Sequence, residues 1–201
     1  MREHLERGWR VLATGISFLA FGIGGLALGL FVFPLLRVLL RDRARCRAVS
    51  RRLVQRSFRF HVELMRVLGV LSYELHGVER LRQPGLLVLA NHPTLIDVVF
   101  LISLMPNADC IVKSALARNP FTRGPILACG YICNDDGAGL VDDCIAALHA
   151  GGNLVIFPEG TRTRRDAPMR LQRGAANIAV RGRFDITPVR LGCEPLTSTR
   201  S

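Results

Sequence analysis

A histidine followed five residues later by an aspartate, in Asn91-His92-Pro93-Thr94-Leu95-Ile96-Asp97, has the most evident chemistry in this sequence. The string follows the apolar run 86–90 and opens an apolar helical pattern. Residues five apart in a regular helix do not face each other. The pair can meet if His92 is the N-cap and Pro93 takes the first helical position, where its missing N–H costs nothing. Asp97 then lies in the second turn, and helical side chains lean toward the N-terminus. Its carboxylate would hold one ring nitrogen of His92 and leave the other to act as a general base. The same residues also read as a plain capping histidine and a solvated helix acid.

A second string, Phe157-Pro158-Glu159-Gly160-Thr161-Arg162-Thr163, again follows an apolar strand pattern. Pro158 ends the strand, and Gly160 lets backbone N–H groups approach an anion. Arg162 offers a planar fork to phosphate or carboxylate. A turn needs proline and glycine; it does not need an acid and an arginine flanking Gly-Thr.

Together the strings resemble the glycerolipid acyltransferase family typified by the 1-acyl-sn-glycerol-3-phosphate acyltransferases, whose first and third blocks are N-H-x4-D and F-P-E-G-T-R. Leu75-His76-Gly77-Val78-Glu79 resembles the family's segment before the first block. Lys113, followed by Pro120, Gly124 and Gly130, resembles the second block, and Ile186-Thr187-Pro188-Val189 the fourth. The resemblance covers residues 73–191. It implies an O-acyltransferase of lipid metabolism and phospholipid biosynthesis. His92 would deprotonate an acceptor hydroxyl that attacks an acyl thioester, with Asp97 orienting His92. Glu159, Gly160, Thr161 and Arg162 would hold the acceptor head group, and Lys113 would add positive charge. No metal or cofactor is implied; acyl-coenzyme A or an acyl carrier protein thioester is the co-substrate.

Two features depart from that pattern. Relatives acting on phosphate monoesters usually carry an arginine at the end of the second block, whereas this chain has Asn134-Asp135-Asp136. Carboxylates there would repel a phosphate dianion. The stretch is similar to acyltransferases of bacterial aryl-polyene pathways, and suggests an acceptor other than lysophosphatidic acid. The sequence also ends about ten residues after the fourth block, where relatives usually continue, which reads as a short member or a truncated product.

These motifs need elements to position them. Beyond residue 72 short apolar runs alternate with helical stretches. Strands are expected over 71–76, 86–90, 110–112, 131–133, 154–157 and 186–191, and helices over 94–105, 114–118, 122–129, 138–150 and 174–181. That alternation predicts an α/β fold with a mostly parallel sheet covered on both faces. Residues 45–71 read as an amphipathic helix, with Val49, Leu53, Phe60, Leu64, Val67 and Leu71 on one side and Arg52, Arg56, Arg59, Glu63 and Arg66 opposite. It fits either an interfacial helix or one packed on the core with a solvated basic face.

Residues 11–36 carry no charged side chain. As one helix they would measure about 39 Å against a hydrocarbon core of roughly 30 Å, enough to span with tilt or a break near Gly22, Gly24, Gly25, Gly29 or Pro34. The run passes directly into arginines, which suits an anchor better than a cleaved signal; a re-entrant hairpin is the alternative. The expected organisation is a membrane anchor over 1–44, the amphipathic helix over 45–71 and the acyltransferase domain over 72–201.

Hydrophobic residues make up 49% of the chain and its formal charge is +11, with Lys113 the single lysine. The arginines gather after the apolar run, where anionic lipid accounts for them; they lack the interleaved aromatics of a single-strand nucleic-acid binder. The partners expected are membrane lipids, with no nucleic acid, and the resemblance implies an acyl thioester donor, either acyl-coenzyme A or an acyl carrier protein. The rival reading is a catalytically silent membrane protein that binds lipid or acyl carrier protein. Six scattered cysteines form no metal-binding pattern and suit a reducing compartment. By the positive-inside bias, the large C-terminal part faces the cytoplasm from the inner (plasma) membrane. A reporter fused after Arg59 should accordingly read as cytoplasmic; a periplasmic or lumenal signal would reverse that topology.

Overall fold

Runs such as Leu87-Val88-Leu89-Ala90, apolar on both faces, can be buried only between two layers. A computed structural model of the chain, which describes residues 2–134, 139–162 and 171–194, places them there. The strands are β1 (Leu87–Ala90), β2 (Ala108–Val112), β3 (Ile132–Cys133), β4 (Asn153–Ile156) and β5 (Ile186–Val189). They form one sheet in the order β3-β2-β4-β1-β5, and every pairing is parallel. Pro188, which has no N–H to give, is tolerated because β5 is an edge strand.

Alternate residues of each strand feed opposite layers. Val88, Ala90 and Val155 join Leu101, Ile102, Ile126 and Cys129 on one face. These belong to α4 (Asp97–Leu104) and α6 (Pro120–Cys129). Leu87, Leu154 and Ile156 join Cys144, Leu148, Ala175 and Ile178 on the other, from α7 (Leu140–His149) and α8 (Gly174–Gly182). The short α5 (Ser114–Arg118) links β2 to α6. Five of the six expected strands are present. The expected strand over 71–76 is absent: those residues lie outside the sheet.

The N-terminal part is a helical hairpin. Its first arm is α1 (Arg2–Ala27), a π-helical turn at Leu28–Val32 and α2 (Phe33–Leu39). The π turn falls just before Pro34, whose absent N–H and ring forbid an ordinary bond to the preceding turn. Its second arm, α3 (Arg43–Val67), is capped by the Asp42 side chain, which accepts from the Ala44 N–H at 2.9 Å. The arms run side by side: Phe21 packs against Phe58 and His61, and Trp9 donates its indole N–H to the Leu68 carbonyl at 3.0 Å. At Gly25 a Cβ would collide with the Phe121 carbonyl, and at Gly124 it would overlap the Gly29 Cα. The apolar helix therefore lies directly on α6.

The expected apolar face of α3 is not the buried one. Cys46, Ser50, Val54, His61, Val62 and Met65 are buried, whereas Phe60 and Val67 are 69% and 75% exposed. Burial by desolvation lowers the His61 imidazole. Arg51 also leaves the basic flank for the interior. Its guanidinium pairs with Asp109 of β2, donates to the Cys129 carbonyl at 3.0 Å and reaches Asn107 Oδ1 at 3.1 Å. Burial pushes the Asp109 carboxyl up, and Arg51 pulls it back only in part. Removing one partner of such a pair leaves a buried charge uncompensated. Arg51→Ala should destabilise the fold by about 3–5 kcal/mol, read as a lowered denaturation midpoint in detergent. The Arg51→Met, Asp109→Leu double variant should recover most of that loss.

Candidate active site

His92 leaves the end of β1 on a loop fixed from two sides. The Asn91 amide donates to the Leu191 carbonyl at 2.8 Å and accepts the Leu191 N–H at 2.7 Å. This side chain continues, past Pro188, the pairing of β1 with the chain beyond β5. From the other side, the His92 N–H donates to Glu159 Oε1 at 3.3 Å. The His92 ring stacks on Phe157, with centroids 4.2 Å apart.

His92 Nδ1 lies 2.8 Å from Asp97 Oδ2. The contact expected from the heptapeptide is present, but its local geometry differs. Helix α4 begins at Asp97, with Ile96 as its N-cap, so Asp97 lies in the first turn, not the second. Residues 93–96 instead turn back so that Asp97 accepts from the Thr94 N–H at 2.6 Å and from the Thr94 hydroxyl. A carboxylate at a helix start also suits the positive end of the helix dipole. Asp97 is buried and the His92 side chain is 18% exposed. With Asp97 as acceptor at Nδ1, Nε2 is the ring nitrogen able to receive a proton.

The Phe157–Gly160 turn follows β4. The Gly160 N–H returns to the Phe157 carbonyl at 3.0 Å, and Gln172 N donates to the Pro158 carbonyl at 2.7 Å. Gly160 has φ +68° and faces the Gln172 side chain, so a larger residue would be strained and crowded. Thr161 is exposed and Arg162 half-buried. Lys113 is exposed at the end of β2, and β4 separates β2 from β1. Two strand spacings put its backbone about 10 Å from that of His92 along the same sheet edge.

The fold thus joins His92, Asp97 and Glu159 through direct contacts, keeps Gly160, Thr161 and Arg162 in the adjoining turn, and sets Lys113 further along. Glu159 holds the His92 backbone, a contact the loop's anion-binding reading did not anticipate. Asp135 and Asp136 lie outside the described residues. Gly124 and Gly130 are structural: Gly124 meets Gly29, and Gly130 ends α6 with φ +63°. Asn91, Thr94 and Phe157 were given no role by sequence reasoning. A Thr three residues before Asp97 was a readable local hydrogen-bond signal; nothing in the sequence announces the Phe157 stack.

Four of the six cysteines are shut away from any substrate. Cys46, Cys110, Cys129 and Cys144 are buried, and burial pushes the Cys129 and Cys144 thiols up to about 12. Among the described residues no group of three His, Cys, Asp or Glu side chains could hold a metal ion.

A 1-acyl-sn-glycerol-3-phosphate acyltransferase of Pseudomonas aeruginosa is 28% identical over 171 residues, covering 81% of this chain and 62% of its own length. One from Helicobacter pylori is 33% identical over 112 residues, 52% of this chain and 47% of its own. The chain therefore spans about half to three fifths of these relatives. The crystal structure of the 1-acyl-sn-glycerophosphate (LPA) acyltransferase PlsC from Thermotoga maritima superposes with a TM-score of 0.67, covering 92% of this chain and 73% of that one at 20% identity; the two share a fold. The Acyltransferase family model matches residues 72–192, which include His92, Asp97, Lys113 and the turn from Phe157 to Arg162. With that match over more than half its length, this chain belongs to the acyltransferase family.

Proposed function

We propose that the chain transfers a fatty acyl group from a thioester to a hydroxyl of a lipid acceptor, with His92 as general base. The observation that carries this reading is the His92–Asp97 contact of 2.8 Å beside the Arg162 turn. Nε2 takes the acceptor hydroxyl proton as its oxygen attacks the thioester carbonyl carbon. The tetrahedral intermediate collapses, the C–S bond breaks, and the imidazolium returns the proton to the thiolate. The products are an ester and a free thiol, and no acyl-enzyme forms. Glu159 steadies His92 while Arg162 and Lys113 receive the acceptor's polar head. The donor is acyl-coenzyme A or an acyl carrier protein thioester.

Membrane attachment goes with this reading. Glu6–Leu39 is long and apolar enough to cross a bilayer, and only 11% of its most apolar window is buried. Yet α3 runs beside it with Arg52, Arg56 and Arg59 exposed. A straight crossing would draw those arginines into hydrocarbon, where each is costly. The hairpin is better satisfied with the outer face of α1 in the acyl layer and the α3 arginines at the head groups, on the cytoplasmic side.

His92→Ala should lower acyl transfer at least about a hundredfold with the fold intact, since a positioned base typically contributes 10²–10⁴-fold. Asp97→Asn should lower kcat with little change in donor KM. Thioester consumption by purified protein reads both, and near-normal turnover by His92→Ala would remove the assignment.

The acceptor follows from Asp135 and Asp136. Two unit charges about 4 Å apart interact by roughly 4 kcal/mol at an effective dielectric near 20, so acids in place of an arginine disfavour a phosphate monoester. Lysophosphatidic acid should compete poorly against an acceptor lacking a terminal phosphate. Asp136→Arg should shift the preference toward it. A wild-type preference for lysophosphatidic acid that the substitution leaves unchanged would place those carboxylates away from the ligand.

A further inference from the structure

The Asp97 carboxylate contacts the His92 ring, and Thr94 holds that carboxylate. Thr94 donates its backbone N–H to Oδ2 at 2.6 Å and its hydroxyl to Oδ1. Both carboxylate oxygens are therefore engaged by Thr94, and Oδ2 is shared with His92 Nδ1. A short aspartate side chain has two torsions. Oδ2 can face Nδ1 only while the carboxylate plane keeps one rotation, and donors on the two oxygens fix that plane. The backbone donor alone permits pivoting about Oδ2; the hydroxyl on Oδ1 removes that freedom. Asp97 is 5% exposed, so water is a poor substitute for a missing hydroxyl.

We propose that Thr94 is a positioning residue, whose hydroxyl locks the Asp97 carboxylate in the rotation that orients His92. This rests on the general-base reading above. Thr94 acts through Asp97 and is assigned no contact with either substrate. The backbone turn at residues 93–96 supplies one donor whatever the side chain, so only the hydroxyl is open to test by substitution. Val keeps the branched shape of threonine and deletes the donor; Ser keeps the donor and deletes the methyl group.

The experiment compares initial rates of acyl transfer for wild type, Thr94→Val, Thr94→Ser, Asp97→Asn, the Thr94→Val, Asp97→Asn double variant and His92→Ala. Thermal unfolding of each protein runs alongside. Small misplacements of a reacting group cost up to about a hundredfold, so Thr94→Val should lose roughly ten- to a hundredfold in kcat with donor and acceptor KM nearly unchanged. Thr94→Ser should stay within about threefold of wild type. Residues that act as one unit are not additive, so adding Thr94→Val to Asp97→Asn should cost less than about threefold more. A merely structural residue would lose activity in proportion to unfolding and add its full loss in the double variant. That additive result overturns the proposal. So does wild-type kcat in Thr94→Val while His92→Ala is inactive, which leaves the general-base reading standing. If Thr94→Val does not fold, Thr94→Ala gives the same comparison, and full activity in a folded Thr94→Ala protein is equally fatal. Turnover by His92→Ala removes the base itself, and the role of Thr94 with it.

Discussion

An all-parallel sheet sends every strand's carboxyl end to the same edge, and the site depends on that constraint. Strand order adds the second condition. From β1 the chain passes to α4 on one face and on to β2; from β4 it passes to α8 on the other face and on to β5. The chain thus departs from two adjacent strands toward opposite layers, leaving a crevice between their ends, where open α/β sheets bind ligands. His92 leaves β1 at one wall of that crevice, and Phe157 to Arg162 leave β4 at the other. Their joining contacts, the Phe157 stack and the Glu159 carboxylate, need only adjacent strands in register. The observed pairing of Leu89 with Ile156 supplies that register.

The opposite edge of the sheet answers a different demand. There the helical hairpin must be fixed to the sheet, and polar groups do it. Arg51 joins α3 to Asp109, Asn107 and the Cys129 carbonyl. Asn153, fully buried, donates to the Pro106 carbonyl at 2.8 Å and accepts the Leu86 N–H at 2.9 Å. Buried ionic and amide groups contribute little net stability, because desolvation offsets the attraction; the raised Asp109 carboxyl is the sign of that offset. What they provide is direction, since an unpaired guanidinium excludes every other docking angle for α3. The docking of α3 is fixed at this edge, and the His92 site lies at the other.

Much of this was legible in the sequence for definite reasons. Strands buried on both faces are short apolar runs bounded by turn residues, and β1, β2, β4 and β5 were found within about two residues. The His92–Asp97 contact was also legible, because the motif's residue types fix the chemistry even where the turn is misjudged. Pro93 suggested a helix start, but Thr94 competes for Asp97 and delays α4 to residue 97. The α3 face was misread by one residue, about 100° around the helix. Val49, Leu53, Phe60 and Leu64 are more apolar than Cys46, Ser50 and His61, yet the latter are buried. The buried face of α3 mixes Val54, Val62 and Met65 with Ser50, Arg51 and His61, and polar residues there blur the periodicity that hydropathy reads. Partners distant in sequence, such as Arg51 with Asp109, leave no periodic trace at all.

The glycines of α1 connect these levels. Gly25 and Gly29 are four apart and face α6, where Gly124 comes within 3.3 Å of a Cβ built on Gly29. Close approach of the two backbones and the packing it allows hold α1 there. The π turn at Leu28–Val32 begins at this contact and relieves the missing Pro34 donor without ending the helix. Phe33, beyond the turn, is buried in the domain core, while Phe31, two residues earlier, is 71% exposed. Residues two apart on a helix lie on opposite faces, so Phe33 anchors the helix to the core while Phe31 faces away from it. The apolar helix and the α/β domain are then one packed body, and the crevice between β1 and β4 keeps a fixed attitude to that helix.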